Sequence, residues 1–405
     1  MRISWIQNTR DYRIDYTRFA LIEAARRGEI RYKEITAKKA LQLGISQKVL
    51  DALREGLSAF VLESQQPNQK PFFFIVDTSD GFNGFSPAVE DVDCYFTVAY
   101  LPSLFEQMTT LTPHTWQRAY MLDHYQKSFQ DLIQSFGIHF SRVHPFILHQ
   151  CPMWNTRAKG FWQITLRKIQ RIIQRRRFGV FPLLDWAIRF SFEHRYRQIL
   201  ALRKLPLKYD AVALDTLWAW PGHRVALHKK LKDAKDQGKK IFHKLSLITT
   251  LDQLELGENG AMKRSWLPEL IQPIQLESHY EEMIASSRVF LSATGKHWGY
   301  REIGFIALAA GTPLYMDPPL YRSYFDLKTP GGSALANQEP QIFMTRNEWE
   351  EFDQILDQID DLTWNQARAK NQDFFDKNCS PPALAAYLID CMRQLIEKRY
   401  PSDRC

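Results

Sequence analysis

Short apolar runs that end in polar turns alternate along this chain with stretches whose apolar residues recur every three or four positions. That rhythm predicts strands followed by helices. Met1 to Gln7 reads as a first strand, and Tyr16 to Arg27, with Phe19, Ile22 and Ala25 at helical spacing, as the helix after it. PFFFIVD (71–77) is continuously apolar and ends in Asp77, Ser79, Asp80 and Gly81, the pattern of a buried parallel strand that delivers a polar loop at its carboxyl end. Cys94 to Ala99 forms a further strand beyond the turn-rich GFNGFSP segment. After Leu205 and Pro206 the rhythm restarts: YDAVALD as strand, Arg224 to Gln237 as helix, KKIFHKLS as strand, RVFLSAT (288–294) as strand, Tyr300 to Ala310 as helix, then TPLYMD (312–317). A last segment, Pro381 to Lys398, predicts a terminal helix behind a Pro-Pro start. Two such alternating runs predict an α/β fold of two Rossmann-like domains.

Composition sharpens this picture in three places. The 405 residues exceed one ordinary core, and the restart divides them into residues 1–205, residues 206–378 and a closing helical tail over 379–405. A net charge of +8 favours an anionic partner, be it nucleic acid, acidic bilayer or phosphorylated small molecule. The five cysteines, Cys94, Cys151, Cys379, Cys391 and Cys405, are odd in number and irregularly spaced, which argues against a disulfide framework or a structural zinc site and for a reducing, cytoplasmic setting. No apolar run reaches the roughly 20 residues of a membrane span, and the N-terminus turns polar after six residues, so any membrane contact is expected to be peripheral.

The most informative string is YEEMIASSRVFLSATGKHWGYREIGFIALAAGTPLYMD (280–317). It joins a buried strand to a helix through a loop of small and basic residues. Ser292, Thr294, Gly295 and Lys296 allow backbone N–H groups and hydroxyls to approach phosphate oxygens, with His297 beside them and the positive end of the next helix facing the same point. Lys296 and Arg301 supply charge, and Gly311 is expected to cap the helix at its carboxyl end.

IALAAGTPLYMD resembles the EA(M/L)AAGTPV(I/V) segment of group 1 glycosyltransferases, and SSRVFLSATG resembles the corresponding strand and loop there and in exostosin-like enzymes. The likeness covers about forty residues, against a domain of the usual size. It implies a GT-B architecture, in which two Rossmann-like domains face each other across a cleft and the C-terminal helix crosses back to the first. It also implies that Thr294, Gly295, Lys296, Arg301, Gly311 and Thr312 bind a nucleotide-sugar donor. The sugar nucleotide is then a co-substrate, and no other cofactor or metal is expected. Many retaining members carry a pair of Glu residues where this chain has Trp298 and Ile306. Glu302, one helical turn before Ile306, is the candidate to contact the donor's hydroxyls in a shifted register.

On the acceptor side Asp77, Asp80 and the DVD triplet at 91–93 are candidate acids, with Asp80 chosen as the base that takes the acceptor's proton. Against each stands a turn after a strand. The triplet would also suit a metal-held diphosphate, although it precedes rather than ends an apolar strand. His139, His144 and His149 recur at intervals of five, poor spacing for a metal. His243 and Lys244 close the strand KKIF, where a loop could touch donor phosphate. From Arg157 to Arg177 cations interleave with Trp162, Leu166, Ile169 and Ile173, an amphipathic basic stretch suited to anionic headgroups and hence to a glycan or lipid-linked acceptor. The rival functions are a GT-B-shaped binding or scaffold protein without turnover, and a basic nucleic-acid-binding protein; no recognition motif supports the latter.

Overall fold

The computed structural model describes residues 1–7, 14–54, 56–63, 69–79, 81–110, 119–147, 182–217, 221–247, 267–272, 279–294, 301–325, 342–344 and 349–401. The basic stretch from Arg157 to Arg177, His149 and Asp80 lie outside the described residues.

The first sheet contains β1 (Arg2–Ile6), β2 (Arg31–Ile35), β3 (Leu57–Glu63), β4 (Phe72–Asp77), β5 (Cys94–Thr97) and β6 (Val143–Pro145), in the order β2-β1-β3-β4-β5-β6. β3 runs antiparallel to both β1 and β4, while the other pairings are parallel. The expectation of a Rossmann-like first domain therefore needs one amendment, an antiparallel strand between the two halves of its sheet. β3 and β4 are buried almost throughout, as their unbroken apolar runs require. Trp5, Phe60, Phe74 and Phe96 stack in a row across four adjacent strands, with centroids 5.7, 4.7 and 6.4 Å apart. Helices α1 (Asp15–Arg26), α2 (Ala37–Gln42), α3 (Gln47–Ala52), α4 (Pro102–Phe105) and α5 (Ala119–Phe136) belong to this half. α1 begins and ends near the residues that its periodicity marks.

Helix α6 (Pro182–Ala201) leads to the second sheet, made of β7 (Tyr209–Thr216), β8 (Ile241–Ser246), β9 (Ile271–Gln272), β10 (Ser287–Ser292), β11 (Leu314–Met316) and β12 (Ile342–Met344). Every pairing is parallel and the order is β12-β11-β10-β7-β8-β9. This is the doubly wound arrangement, whose strand order reverses between β7 and β10; ligands of such sheets sit in the crevice that this reversal opens at the carboxyl ends. Around the sheet lie α7 (Pro221–Asp236), α8 (Leu267–Leu270), α9 (Tyr280–Ala285), α10 (Glu302–Ala310) and α11 (Phe352–Gln358).

Two further helices tie the halves together. α12 (Asp361–Asn378) packs on α10, and α13 (Pro381–Arg399) returns to pack on α1. Tyr387 of α13 donates to the Pro145 carbonyl at the end of β6 (2.6 Å), and Tyr16 of α1 donates to the Cys379 carbonyl (2.7 Å). The ring of Tyr16 meets Phe305 of α10 edge-on at 5.1 Å, so one apolar cluster runs from the first sheet into the second. The segment after β11 crosses as well: Arg322 N–H donates to the Tyr100 carbonyl (2.8 Å), Tyr324 stacks on Tyr387 at 4.0 Å, and Arg322 pairs with Glu106. Tyr100 and Phe146 follow the carboxyl ends of β5 and β6, so the carboxyl edges of the two sheets converge on this crossing. Among the described residues no helix is long and apolar enough to cross a membrane.

Candidate functional site

The carboxyl ends of β7 and β10 carry a buried charged network on an otherwise apolar sheet. Ladder pairing between the two strands reaches Ala213 and Leu291 and stops there. Past that point the backbone needs other partners, because a buried carbonyl left without a donor costs on the order of 1–3 kcal/mol. Arg224, on the first turns of α7 and 1% exposed, supplies them: its guanidinium donates to the Thr216 carbonyl at 2.5 Å and to the Thr294 carbonyl at 2.8 Å. Arg301, immediately before α10, donates to the Leu214 carbonyl at 2.9 Å and forms an ion pair with Asp215.

Asp215 is the hub of this arrangement. One carboxylate oxygen holds Arg301 and lies 3.8 Å from Nε of Arg224; the other lies 3.1 Å from Nε2 of His228. Burial alone would push this carboxyl up, but Arg301, the His228 hydrogen bond and Arg224 together hold it well below the usual carboxylate range. Burial in turn pulls Arg224 down to about 10, against the attraction of Asp215. A second carboxylate, Asp317, follows β11. It accepts the Thr294 amide (2.7 Å) and faces Nε2 of His223 at 2.8 Å, and His223 in turn stacks on Trp349 with centroids 5.1 Å apart.

The residues singled out in the sequence are distributed as follows. Ser292 ends β10 and Thr294 follows it, both buried; Arg301 reaches across to β7 at Leu214 and Asp215, and Glu302 opens α10. Gly295, Lys296 and His297 lie outside the described residues. The Thr294 backbone, expected to face phosphate, is already engaged in both directions by Asp317 and Arg224. Arg301 keeps part of its surface open, its side chain 21% exposed, and among the described residues no side chain caps the start of α10.

Gly311 and Thr312 stand at the other end of α10, on the amino side of β11 and away from the carboxyl ends of β7 and β10. Gly311 has φ +91° and forms the left-handed cap the sequence marks, and an added Cβ there would meet the Arg368 carbonyl at 2.6 Å. Thr312 is fully buried and its hydroxyl donates to the Ile284 carbonyl at 3.0 Å. Lys244 is buried in β8, in register with Leu214, and strand alternation turns it to the face opposite His243. His243 faces α7, with Nδ1 at 3.3 Å from Nδ1 of His228, not a loop at the strand end.

In the first half, Asp77 ends β4 but both oxygens are taken, by Tyr95 Oη (2.5 Å) and by the Ser79 amide (2.8 Å), and burial raises its pKa. Asp91 accepts from Ser46 (2.5 Å), and Asp93 accepts the Phe73 amide (2.7 Å) and pairs with Arg399. The triplet thus fastens α3, β4 and α13 at the amino edge of the sheet. Among the described residues no cluster of His, Cys, Asp and Glu has the makings of a metal site.

Asp215, Arg224, His228, His223 and Asp317 were not singled out in the sequence. A signal was present: YDAVALD and LYMD each end an apolar strand in a carboxylate, and Arg224 and His228 are four residues apart on one helix face.

No protein-family model matches the chain, and no curated protein matches it in sequence. In fold it is similar to solved GT-B structures. One is described as trehalose-6-phosphate from E. coli bound with UDP-2-fluoro glucose, at 15% identity over 49% of this chain and 50% of that one, with a TM-score of 0.31. Another is the catalytic domain of starch synthase IV from Arabidopsis thaliana bound to ADP and acarbose, at 12% identity over 80% and 58% of the two chains, with a TM-score of 0.40. A third is UDP-GlcNAc 2-epimerase from Neisseria meningitidis bound to UDP-GlcNAc, at 12% identity over 97% and 100%, with a TM-score of 0.32. The match spans half the length of the first structure, 50%, and 58% of the second.

Proposed function

We propose that this chain is a glycosyltransferase that moves a sugar from a nucleotide-activated donor to a hydroxyl acceptor, with residues 206–378 holding the donor and residues 1–205 the acceptor. The observation that carries this reading is Arg301, a partly open cation at the N-terminus of α10, placed at the strand-order reversal between β7 and β10. A cation and a helix N-terminus aimed at one point favour phosphate oxygens. In sugar transfer the same pair favours the diphosphate as it departs and gains charge.

In this reading Arg301 shares its guanidinium between Asp215 and the donor's phosphates, and Lys296, Gly295, His297 and Ser292 complete the cradle. Glu302, at the first position of α10, faces the donor's hydroxyls, and Asp80 takes the acceptor's proton. Basic side chains carry the diphosphate charge, so transfer proceeds without a divalent metal and persists in EDTA. The acceptor is a glycan or lipid-linked precursor, brought to the inner face of a membrane by the basic stretch from Arg157 to Arg177.

The test is a transfer and donor-hydrolysis assay with UDP- and ADP-sugars, run with and without EDTA, on the whole chain and on Arg301→Ala. Turnover with at least one donor, reduced at least about a hundredfold in R301A, as for loss of a transition-state donor, supports the proposal. Tight donor binding with no transfer or hydrolysis would point instead to a binding protein on the same fold, and absence of donor binding would overturn the reading.

A further inference from the structure

The guanidinium of Arg224 stands where the ladder between β7 and β10 ends. It joins two carbonyls, Thr216 at the end of β7 and Thr294 two residues past the end of β10, on either side of the reversal. It therefore acts as a wedge: the strand ends are kept apart by the width of a planar fork, and each receives a hydrogen bond across it. The same side chain turns Nε toward the Asp215 oxygen that holds Arg301, and among the described residues that Nε has no hydrogen-bond partner. Asp215 thus lies between a buried guanidinium and a partly open one, with His228 steadying its second oxygen.

We infer that Arg224 is the positioning residue of the ligand crevice: it sets the gap between the ends of β7 and β10 and, through Asp215, the place at which Arg301 meets a diphosphate. This rests on the reading of the crevice as a nucleotide-diphosphate site. Arg224 itself does not touch the ligand. The fork is what matters, since Lys carries the same charge but its three donors radiate from one nitrogen, which does not reproduce the planar pair of nitrogens that spans the two carbonyls.

The experiment compares wild-type protein, Arg224→Lys and Arg301→Ala by calorimetric titration with UDP, ADP and inorganic pyrophosphate, with uridine and adenosine binding followed by NMR. If Arg224 positions Arg301, R224K weakens UDP or ADP and pyrophosphate by a common factor of at least about ten, the size of one hydrogen bond to a charged group, and leaves the matching nucleoside unchanged. Equal weakening of nucleoside and diphosphate, as general loosening would produce, overturns the inference. So does wild-type diphosphate affinity in R224K beside a loss in R301A, an outcome that leaves the diphosphate site standing. Failure of the wild-type protein to bind any of the three diphosphates removes the underlying reading and the inference with it. Should R224K not fold, Thr216→Pro is no substitute, and Arg224→Gln, which retains a planar donor group, is titrated in its place against the same expectations.

Discussion

Asp215 is the penultimate residue of β7, on the same face as Ala211 and Ala213, and its side chain is fully buried. An isolated carboxylate could not stay ionised there; two guanidiniums and an imidazole allow it to. Removing it strands the buried Arg224 and releases Arg301. We therefore expect Asp215→Ala to cost about 3–5 kcal/mol, as breaking a buried pair from one side does, and Arg301→Ala to cost less because its partner keeps Arg224 and His228. Urea denaturation of the two variants checks this order. His243 offers a test by pH. Burial and His228 pull it to about 4, whereas in an unfolded chain it titrates near 6.5. The unfolded chain then takes up the proton first, so stability is full above about pH 6.5 and falls as the pH drops toward about 4, by up to about 3 kcal/mol. In His243→Gln this part of the slope disappears; an unchanged slope would mean that other groups govern it.

Helix α10 shows what an element inherits from its sequence. Its apolar composition and Gly311 fix its end, and the start at Glu302 falls within two residues of the periodic reading. α12 lies directly over Gly311, whose missing Cβ makes room for the Arg368 carbonyl. Gly311→Ala combines a left-handed backbone with a clash against the Arg368 carbonyl and is expected to destabilise by about 2–4 kcal/mol. The melting temperature should drop while diphosphate affinity of the folded protein is retained; lost affinity at unchanged stability would return Gly311 to the site. In the second sheet β7, β8, β10 and β11 were legible because parallel buried strands are apolar runs bounded by turns, whereas the two- and three-residue strands β9 and β12 are too short to show that pattern. β3 was not read as an element, and LSAFVLE carries no mark of strand direction, since only its partners β1 and β4 make it antiparallel. The charged network was equally hidden: Asp215 and Arg301 are 86 residues apart, and His223 and Asp317 are 94 apart.

At the scale of the whole molecule, the carboxyl edges of the two sheets meet where residues 318–325 cross from β11 to Tyr100 and Phe146, and α12 and α13 pack against that crossing through Phe374 and Tyr387. A ligand in the crevice at β7 and β10 therefore lies beside the crossing and away from the amino edge where Asp93 and Arg399 pair. The most direct measurement is amide hydrogen exchange with and without a saturating nucleotide diphosphate. Slowed exchange is expected at the ends of β7 and β10 and in the first turn of α10, with little change around β2 and α3. Protection confined to the first sheet, or none at the start of α10 when the nucleotide is bound, would contradict it.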